Sequence, residues 1–387
     1  MQNFVFHNPT KIIFGRNTIP SLGQETKAWG GKCLLVYGSG SIKKNGIYDQ
    51  VKASLEEAGL LIIEHGGILS NPLLSHVREG IEKVRENGVE VVVAVGGGSV
   101  LDSAKAICAG SVVDHDVWKF FTGKKSIKSA LPLITVLTLA ASGSEMNSGM
   151  VITRDETREK FGFGSRHLYP KTSILDPEAT YTVPKNYTAY GAVDAIAHVL
   201  EYYMTTEDPA TPVQDRIMEG LIINAMDSCE RSLANPLDYD ARADLMWTAT
   251  LALNGLTGAG LGRVGFPMHM IEHSLSALYN APHGAGLSVV IPGWLRWHSA
   301  MKPNRVTHLG SRIFRFDSQN NEPTASKTIR KLENWFARVK SPIRLSELNI
   351  PEADIPAIAE NAMGLAQFWR LEQYKKETIE EILSLCR

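Results

Sequence analysis

The chain has little cysteine and no excess of either charge. Its four cysteines, Cys33, Cys108, Cys229 and Cys386, lie far apart among 387 residues and form no CxxC pair. That usage excludes a thiolate zinc site and suits a reducing compartment, where each thiol packs as a small hydrophobe. Lys+Arg number 40 against Asp+Glu 41, a formal charge of -1, so no basic field for nucleic acid is built in. Apolar runs stop at about eight residues, too short to cross a bilayer. The N-terminus, MQNFVFHNPTKIIFG, lacks the basic-then-apolar plan of a secretory leader. The expectation is a cytoplasmic protein with neither nucleic acid nor membrane as partner. Any metal must be held by imidazoles and carboxylates.

What is present is globular: 44% hydrophobic and 21% charged residues, over a length that suits two domains. Through the first 180 or so residues strand and helix patterns alternate. Lys32–Tyr37 is a short apolar run ending in glycine. Val89–Val95 (VEVVVAV) is almost continuously β-branched, as in a strand buried on both faces. Leu131–Leu139 and Ser173–Asp176 read as further strands, and helical patterns fall between the runs. Such alternation predicts a doubly wound parallel sheet. Beyond Pro184 the β-branched runs vanish and long helical patterns take over, among them Tyr187–Thr205, Pro212–Ala234, Ala241–Gly258, Met268–Tyr279 and Ala285–Met301. The expected domains are residues 1–184, α/β, and 185–387, helical.

Two glycine loops each follow a strand: Gly38-Ser39-Gly40-Ser41, and Gly96-Gly97-Gly98-Ser99 opening a helix. Glycine admits an anion close to the backbone, and a helix N-terminus offers it unpaired N–H groups. Neither loop is GxGxxG, and no GxxxxGK[ST] element occurs, so ordinary Rossmann and P-loop assignments fail. At the end of an early strand, a site for NAD usually carries a carboxylate for the ribose hydroxyls. Here the first loop is followed by Lys43-Lys44, a sequence suited to a 2′-phosphate and leaving no carboxylate to repel it.

The second half holds Asp194 and His198, four apart in GAVDAIAHVLEYY, and His269, His273 and His283 in FPMHMIEHSLSALYNAPHG. Residues four apart share one helix face. Set among Ala, Ile, Val, Leu and Met, these polar groups would be costly to bury unpaired, and a divalent cation is the economical explanation. One carboxylate with imidazoles suits Fe²⁺ or Zn²⁺.

Over essentially its whole length the chain resembles the iron-containing (group III) alcohol dehydrogenases, in the butanol-dehydrogenase-like branch of NADPH-dependent aldehyde reductases. The likeness rests on FHNPTKIIFG, GGILSNP, GGGSVLDSAK, TLAASGSE, ILDP and the histidine segments. It implies a dehydroquinate synthase-like fold, an α/β doubly wound sheet followed by an all-helical domain. It implies Asp194, His198, His269 and His283 as metal ligands, with His273 near the substrate. Dinucleotide contacts fall by the same likeness on Asn71, Gly97, Gly98, Ser99, Asp102, Thr138, Ser142 and Lys160. NAD-using members carry an aspartate just after the first strand. Gly38-Ser39 stands in its place here and agrees with the reading of Gly38, Ser39, Gly40 and Ser41 as a 2′-phosphate loop.

The implied reaction is hydride transfer between NADP(H), preferred over NAD(H), and a short primary alcohol or aldehyde. A metal Lewis acid would polarise the substrate oxygen in the cleft between the domains, and His273 would exchange the proton. Phe266, Tyr279, Trp294 and Trp297 are candidates for the rim. The rivals are a glycerol-dehydrogenase-like polyol enzyme and a dehydroquinate synthase-like lyase. The segment Phe4–Phe14 alternates weakly as an edge strand, which together with the family points to a homodimer.

Overall fold

The computed structural model describes residues 1–207, 210–316 and 324–387. Its strands are β1 (Lys11–Phe14), β2 (Lys32–Gly38), β3 (Leu61–Ile68), β4 (Val91–Gly96), β5 (Leu133–Leu137), β6 (Gly149–Arg154), β7 (Glu159–Gly164) and β8 (Thr172–Leu175). Every residue of β4 and β5 is buried, as their continuous apolar character demands. Six strands form a parallel sheet in the order β1-β8-β5-β4-β2-β3. The helices between them are α1 (Leu22–Lys27), α2 (Ser41–Lys44), α3 (Ile47–Glu57), α4 (Leu74–Asn87), α5 (Gly98–Gly110) and α6 (Trp118–Phe121). One core layer joins Leu35, Val93, Val95, Ile134 and Val136 to Val51 and Leu55 of α3, all fully buried. Each such side chain contributes about 1.5–3 kcal/mol relative to exposure.

After β3 the chain crosses back past β2 to lay down β4, so the sheet switches direction between β2 and β4. Ligands of open parallel sheets bind outside the carboxyl ends of the strands at such a point. Both glycine loops start there, at Gly38 and Gly96.

β6 and β7 form an antiparallel hairpin that the sequence reading passed over. Met150 and Ile152 alternate inward, but the polar turn Asp155–Arg158, with Arg158 at φ 54°, masks the period. The predicted edge strand is shorter than expected. Only Lys11–Phe14 pairs, alongside β8, and Pro9 just upstream lacks the N–H a ladder requires.

The remaining helices are α7 (Lys185–Thr205), α8 (Pro212–Ala234), α9 (Tyr239–Ala252), α10 (Pro267–Tyr279), α11 (His283–Met301), α12 (Pro303–Ile313), α13 (Thr324–Arg338), α14 (Ile355–Phe368) and α15 (Lys376–Ser384). The third helical pattern stops at Ala252, short of the expected Gly258, because turns follow in which Gly255 takes φ 93°. No helix among the described residues is long and apolar enough to cross a membrane. The chain forms two units. One is His7–Val183 with Pro236–Thr250, and the other is Met1–Phe6, Pro184–Asn235 and Leu251–Arg387.

Candidate functional site

α7 is buried on almost every side, as a helix apolar all round must be. Within it Asp194, His198 and Glu201 fall at i, i+4 and i+7, on one stripe. α10 adds His269, Glu272 and His273, and α11 opens on His283 directly after Pro282. Gly284 makes the approach of α11 to α7 possible, since a Cβ there would lie 2.1 Å from the carbonyl oxygen of Tyr190.

The result is a regular cluster. Nε2 of His198, of His269 and of His283 each stands 3.5 Å from Oδ1 of Asp194. That distance is long for a hydrogen bond. Oδ1 of Asp194 and Nε2 of His269 are buried without a hydrogen-bond partner. Ligand bonds of about 2.0–2.2 Å around a tetrahedral ion put the ligand atoms about 3.4 Å apart. The four residues therefore fit a divalent cation, which would satisfy the orphaned atoms at once. Burial opposes ionisation of Asp194, but His198, His283 and His269 hold its carboxyl below the usual range. Burial, helped by His269 and His283, pushes His198 down to about 3 and keeps it a neutral donor. In His269 burial is outweighed by the carboxylates of Asp194 and Glu201, which raise the imidazole to about 9.

Two buried carboxylates behind the imidazoles escaped the sequence reading. Oε1 of Glu201 accepts from the backbone N–H of His269 at 2.9 Å and lies 3.2 Å from its Nδ1. Glu272 pairs with Nδ1 of His283 and also accepts from the Ser276 hydroxyl. Each carboxylate selects the tautomer that turns Nε2 toward Asp194. The available signal was an acid within a largely apolar helix at helical spacing from a candidate ligand, seven residues after Asp194 and three after His269. Glu272→Gln is expected to weaken metal affinity about 10- to 100-fold. Competition with a chromophoric chelator measures it, and an unchanged affinity would show that His283 is oriented by something else.

His273 is buried and stands outside the set that reaches Asp194, its ring 5.6 Å from that of His283. Two aromatic rings flank the cluster, Phe266 at 5.6 Å from His269 and Trp369 at 5.6 Å from His273. Phe266 was among the expected rim residues; Trp369 was not. Trp294 is a correction, for it is fully buried and donates its indole N–H to Tyr374 at 3.0 Å. Trp297 packs on Tyr374 as well, and the Tyr279 hydroxyl is held by Asp354.

The sheet unit gathers most of the expected dinucleotide residues at its switch point. Gly98 lies tight against Ser142, whose side chain would have to shift to admit a Cβ 2.3 Å from its Oγ, and a Cβ at Gly97 would touch Leu139. The N–H of Thr138 donates to the Gly96 carbonyl. The Ser99 hydroxyl donates to the Ser70 carbonyl, and buried Lys160 donates to Oδ1 of buried Asn71 at 3.1 Å. Asp102 faces inward, accepting from the Ser144 hydroxyl at 2.6 Å and the Val151 N–H at 2.9 Å. Lys105, fully buried one turn further along α5, donates to Ser144, Asn147 and Gly149. Asp102 and Lys105 thus tie the segment 144–151 to the helix that opens at Gly98.

Around Gly38-Ser39-Gly40-Ser41 one expectation fails. A carboxylate does stand near the loop, on the neighbouring strand, which pairing places beside β2 although it is remote in sequence. Glu64 of β3 accepts from the Tyr37 hydroxyl at 2.7 Å and the Tyr48 hydroxyl at 2.5 Å. Lys43 turns toward it, with Nζ 3.8 Å from Oε2 and over both tyrosine rings. The Ser39 and Ser41 side chains are exposed.

Comparison with known proteins agrees with this geometry. Residues 9–177 match the iron-containing alcohol dehydrogenase model, and residues 188–387 match the model of the C-terminal part of that family. The chain is 42% identical to the probable NADH-dependent butanol dehydrogenase 1 of Bacillus subtilis, covering 99% of each sequence. It is 37% identical to the NADPH-dependent aldehyde reductase of Escherichia coli over 92% of each. The crystal structure of NADH-dependent butanol dehydrogenase A from Thermotoga maritima superposes with a TM-score of 0.95 at 45% identity, covering 100% of this chain and 99% of that one. A match of that extent, on a chain whose buried carboxylate and imidazoles converge as described, makes it an alcohol/aldehyde oxidoreductase of the iron-containing alcohol dehydrogenase family, in its butanol-dehydrogenase-like branch.

Proposed function

We propose that the chain transfers a hydride between NADP(H) and a short-chain primary alcohol or aldehyde, using Fe²⁺ or Zn²⁺ held by Asp194, His198, His269 and His283. The observation that carries the reading is the placement of three imidazole Nε2 atoms at one distance, 3.5 Å, from the Asp194 carboxylate. When bound, the cation supplies Lewis acidity at the substrate oxygen and the nicotinamide supplies or accepts the hydride.

The rest falls to the chain. Asp194 contributes the one formal negative charge of the ligand set and so moderates the acidity of the ion. Gly97 and Gly98 present backbone N–H groups to the pyrophosphate, with Ser99, Asn71, Thr138, Ser142 and Lys160 around the cofactor, while Asp102 holds that segment in place. His273, next to His283, exchanges the proton by which alcohol and aldehyde differ. Phe266 and Trp369 favour an apolar tail over a polyol or a phosphorylated, carboxylated substrate. Metal analysis of the purified protein, paired with NADPH oxidation by butanal and by a polyol-derived aldehyde, tests the reading. Stoichiometric metal with faster turnover of butanal supports it. Full activity in metal-free protein would end it.

The relatives are named for either cofactor, so the preference for NADP(H) rests on the loop chemistry. Gly38-Ser39-Gly40-Ser41 carries no acid, and its two hydroxyls are free to meet a 2′-phosphate. A Cβ at Gly38 would make only ordinary contacts, at 3.5 Å from the Ile68 carbonyl oxygen, so Gly38→Asp fits the backbone. The wild type should show a KM for NADPH at least about tenfold below that for NADH, and Gly38→Asp should erase or reverse the ratio, since a carboxylate beside a phosphate costs on the order of a few kcal/mol. Equal use of both cofactors by the wild type would remove the loop from the argument. A homodimer formed through the outer edge of β1, and a cytoplasmic location consistent with four free buried cysteines, complete the proposal.

A further inference from the structure

We propose that Glu64 sets how strongly this chain prefers a 2′-phosphorylated cofactor, by holding the ammonium of Lys43 away from the Gly38–Ser41 loop. The inference rests on the reading of that loop as the 2′-phosphate site, and it assigns the strength of the preference to a residue outside it.

The cluster brackets the loop covalently. Tyr37 is the residue before Gly38, and Lys43 follows Ser41 by two, its backbone N–H donating to the Gly40 carbonyl at 3.1 Å. Glu64 is fixed from two sides, one oxygen accepting from Tyr37 and the other from Tyr48. Two phenol donors stabilise the ionised form, so the carboxylate is a fixed negative charge. Lys43 has no such rigidity. It is about half exposed, 3.8 Å from Glu64, and its Nζ lies 4.8 and 4.6 Å from the ring centroids of Tyr37 and Tyr48. Glu64 and the two rings therefore hold the only cation of the pair Lys43-Lys44 that is engaged by a partner among the described residues. A 2′-phosphate in the loop has to compete with Glu64 for that ammonium. Charge-assisted bonds to phosphate are the strong ones, whereas an exposed ion pair is weak, so the competition is close and small changes shift it. NADH carries no group that enters it.

The discriminating measurement is equilibrium binding of NADPH and NADH, by fluorescence titration, to the full-length enzyme and its variants. Glu64→Gln removes the charge, keeps an acceptor for one tyrosine and turns its NH2 to the hydroxyl oxygen of the other. It should bind NADPH about two- to fivefold more tightly, the span of an exposed ion pair, with NADH unchanged. Lys43→Met should weaken NADPH alone, and in the double variant the gain from Glu64→Gln should vanish, because Glu64 acts through Lys43. If Glu64→Gln tightens both cofactors alike, tightens neither, or keeps its gain without Lys43, the inference is overturned. Gly38→Asp in the same series separates the two ideas. If it weakens NADPH while Glu64→Gln has no effect, only the role of Glu64 falls. If it leaves NADPH binding unchanged, the loop reading and the role of Glu64 fall together.

Discussion

Asp194→Ala is expected to yield a folded protein that retains no metal and has lost at least about 10³-fold in turnover. Lewis-acid stabilisation of developing charge is worth several kcal/mol, and each 1.36 kcal/mol is tenfold in rate. The substitution takes away the one anion of the set and leaves His198, His269 and His283 converging on nothing. Chelation of the wild type should reproduce the loss, and added Fe²⁺ or Zn²⁺ should reverse it in the wild type but not in the variant. A variant that kept stoichiometric metal and full turnover would show that the histidine cluster is structural.

The second large effect concerns stability. Lys105→Met strands the acceptors on Ser144, Asn147 and Gly149 and leaves Asp102 and Glu145 without their nearby cation. Breaking a buried charged network by removing one member costs about 3–5 kcal/mol. For a unit of this size that is a fall in Tm of roughly 6–20 °C near pH 7. The pH dependence carries a separate signature. Burial lowers Lys105 from 10.5 to about 8, against the pull of Asp102 and Glu145. Between those two values the unfolded chain holds a proton that the folded protein has released, so stability gains with rising pH. Below about pH 8 both states are protonated and the penalty of burying the charge is fully present. Over that window the wild type should gain about 3 kcal/mol relative to Lys105→Met, which has no such proton. Denaturant curves for both proteins at pH 7.5 and 10 would measure the difference. A parallel pH response would show that Lys105 keeps its proton in the native state across this window, held by Asp102 and Glu145 or by solvent.

The architecture was legible because β4 and α7 are each extreme of their kind. A run such as VVVAVG has no other home than the middle of a parallel sheet, and a helix apolar all round has to be central. Asp194, His198, His269, His273 and His283 stood out for the complementary reason, as polar residues where burial is otherwise apolar, and only the resemblance to the family set four of the five apart as ligands. What escaped shares one property. Glu201, Glu272 and Trp369 acquire meaning only from a neighbour on another helix, and Glu64 only from strand pairing. The β6–β7 hairpin was lost for want of a longer alternating run. Trp294 misled because a helical aromatic reads the same whether it lines a rim or fills a core.

The interleaving of the two units along the chain bears on the order in which the protein can be made. The sheet is complete in strands once β8 has emerged, yet its unit also includes Pro236–Thr250. Arg16 stacks on Tyr239, Phe14 packs edge-on to Trp247, and Thr250 donates to buried Glu145. On the ribosome these partners arrive only after α7 and α8 have been synthesised. The nascent sheet must therefore wait without these partners while α7 and α8 are already outside. A fragment cut at Val183, where the sequence changes texture, is expected to capture that waiting state: soluble only with help, and rescued by supplying residues 236–250 in trans.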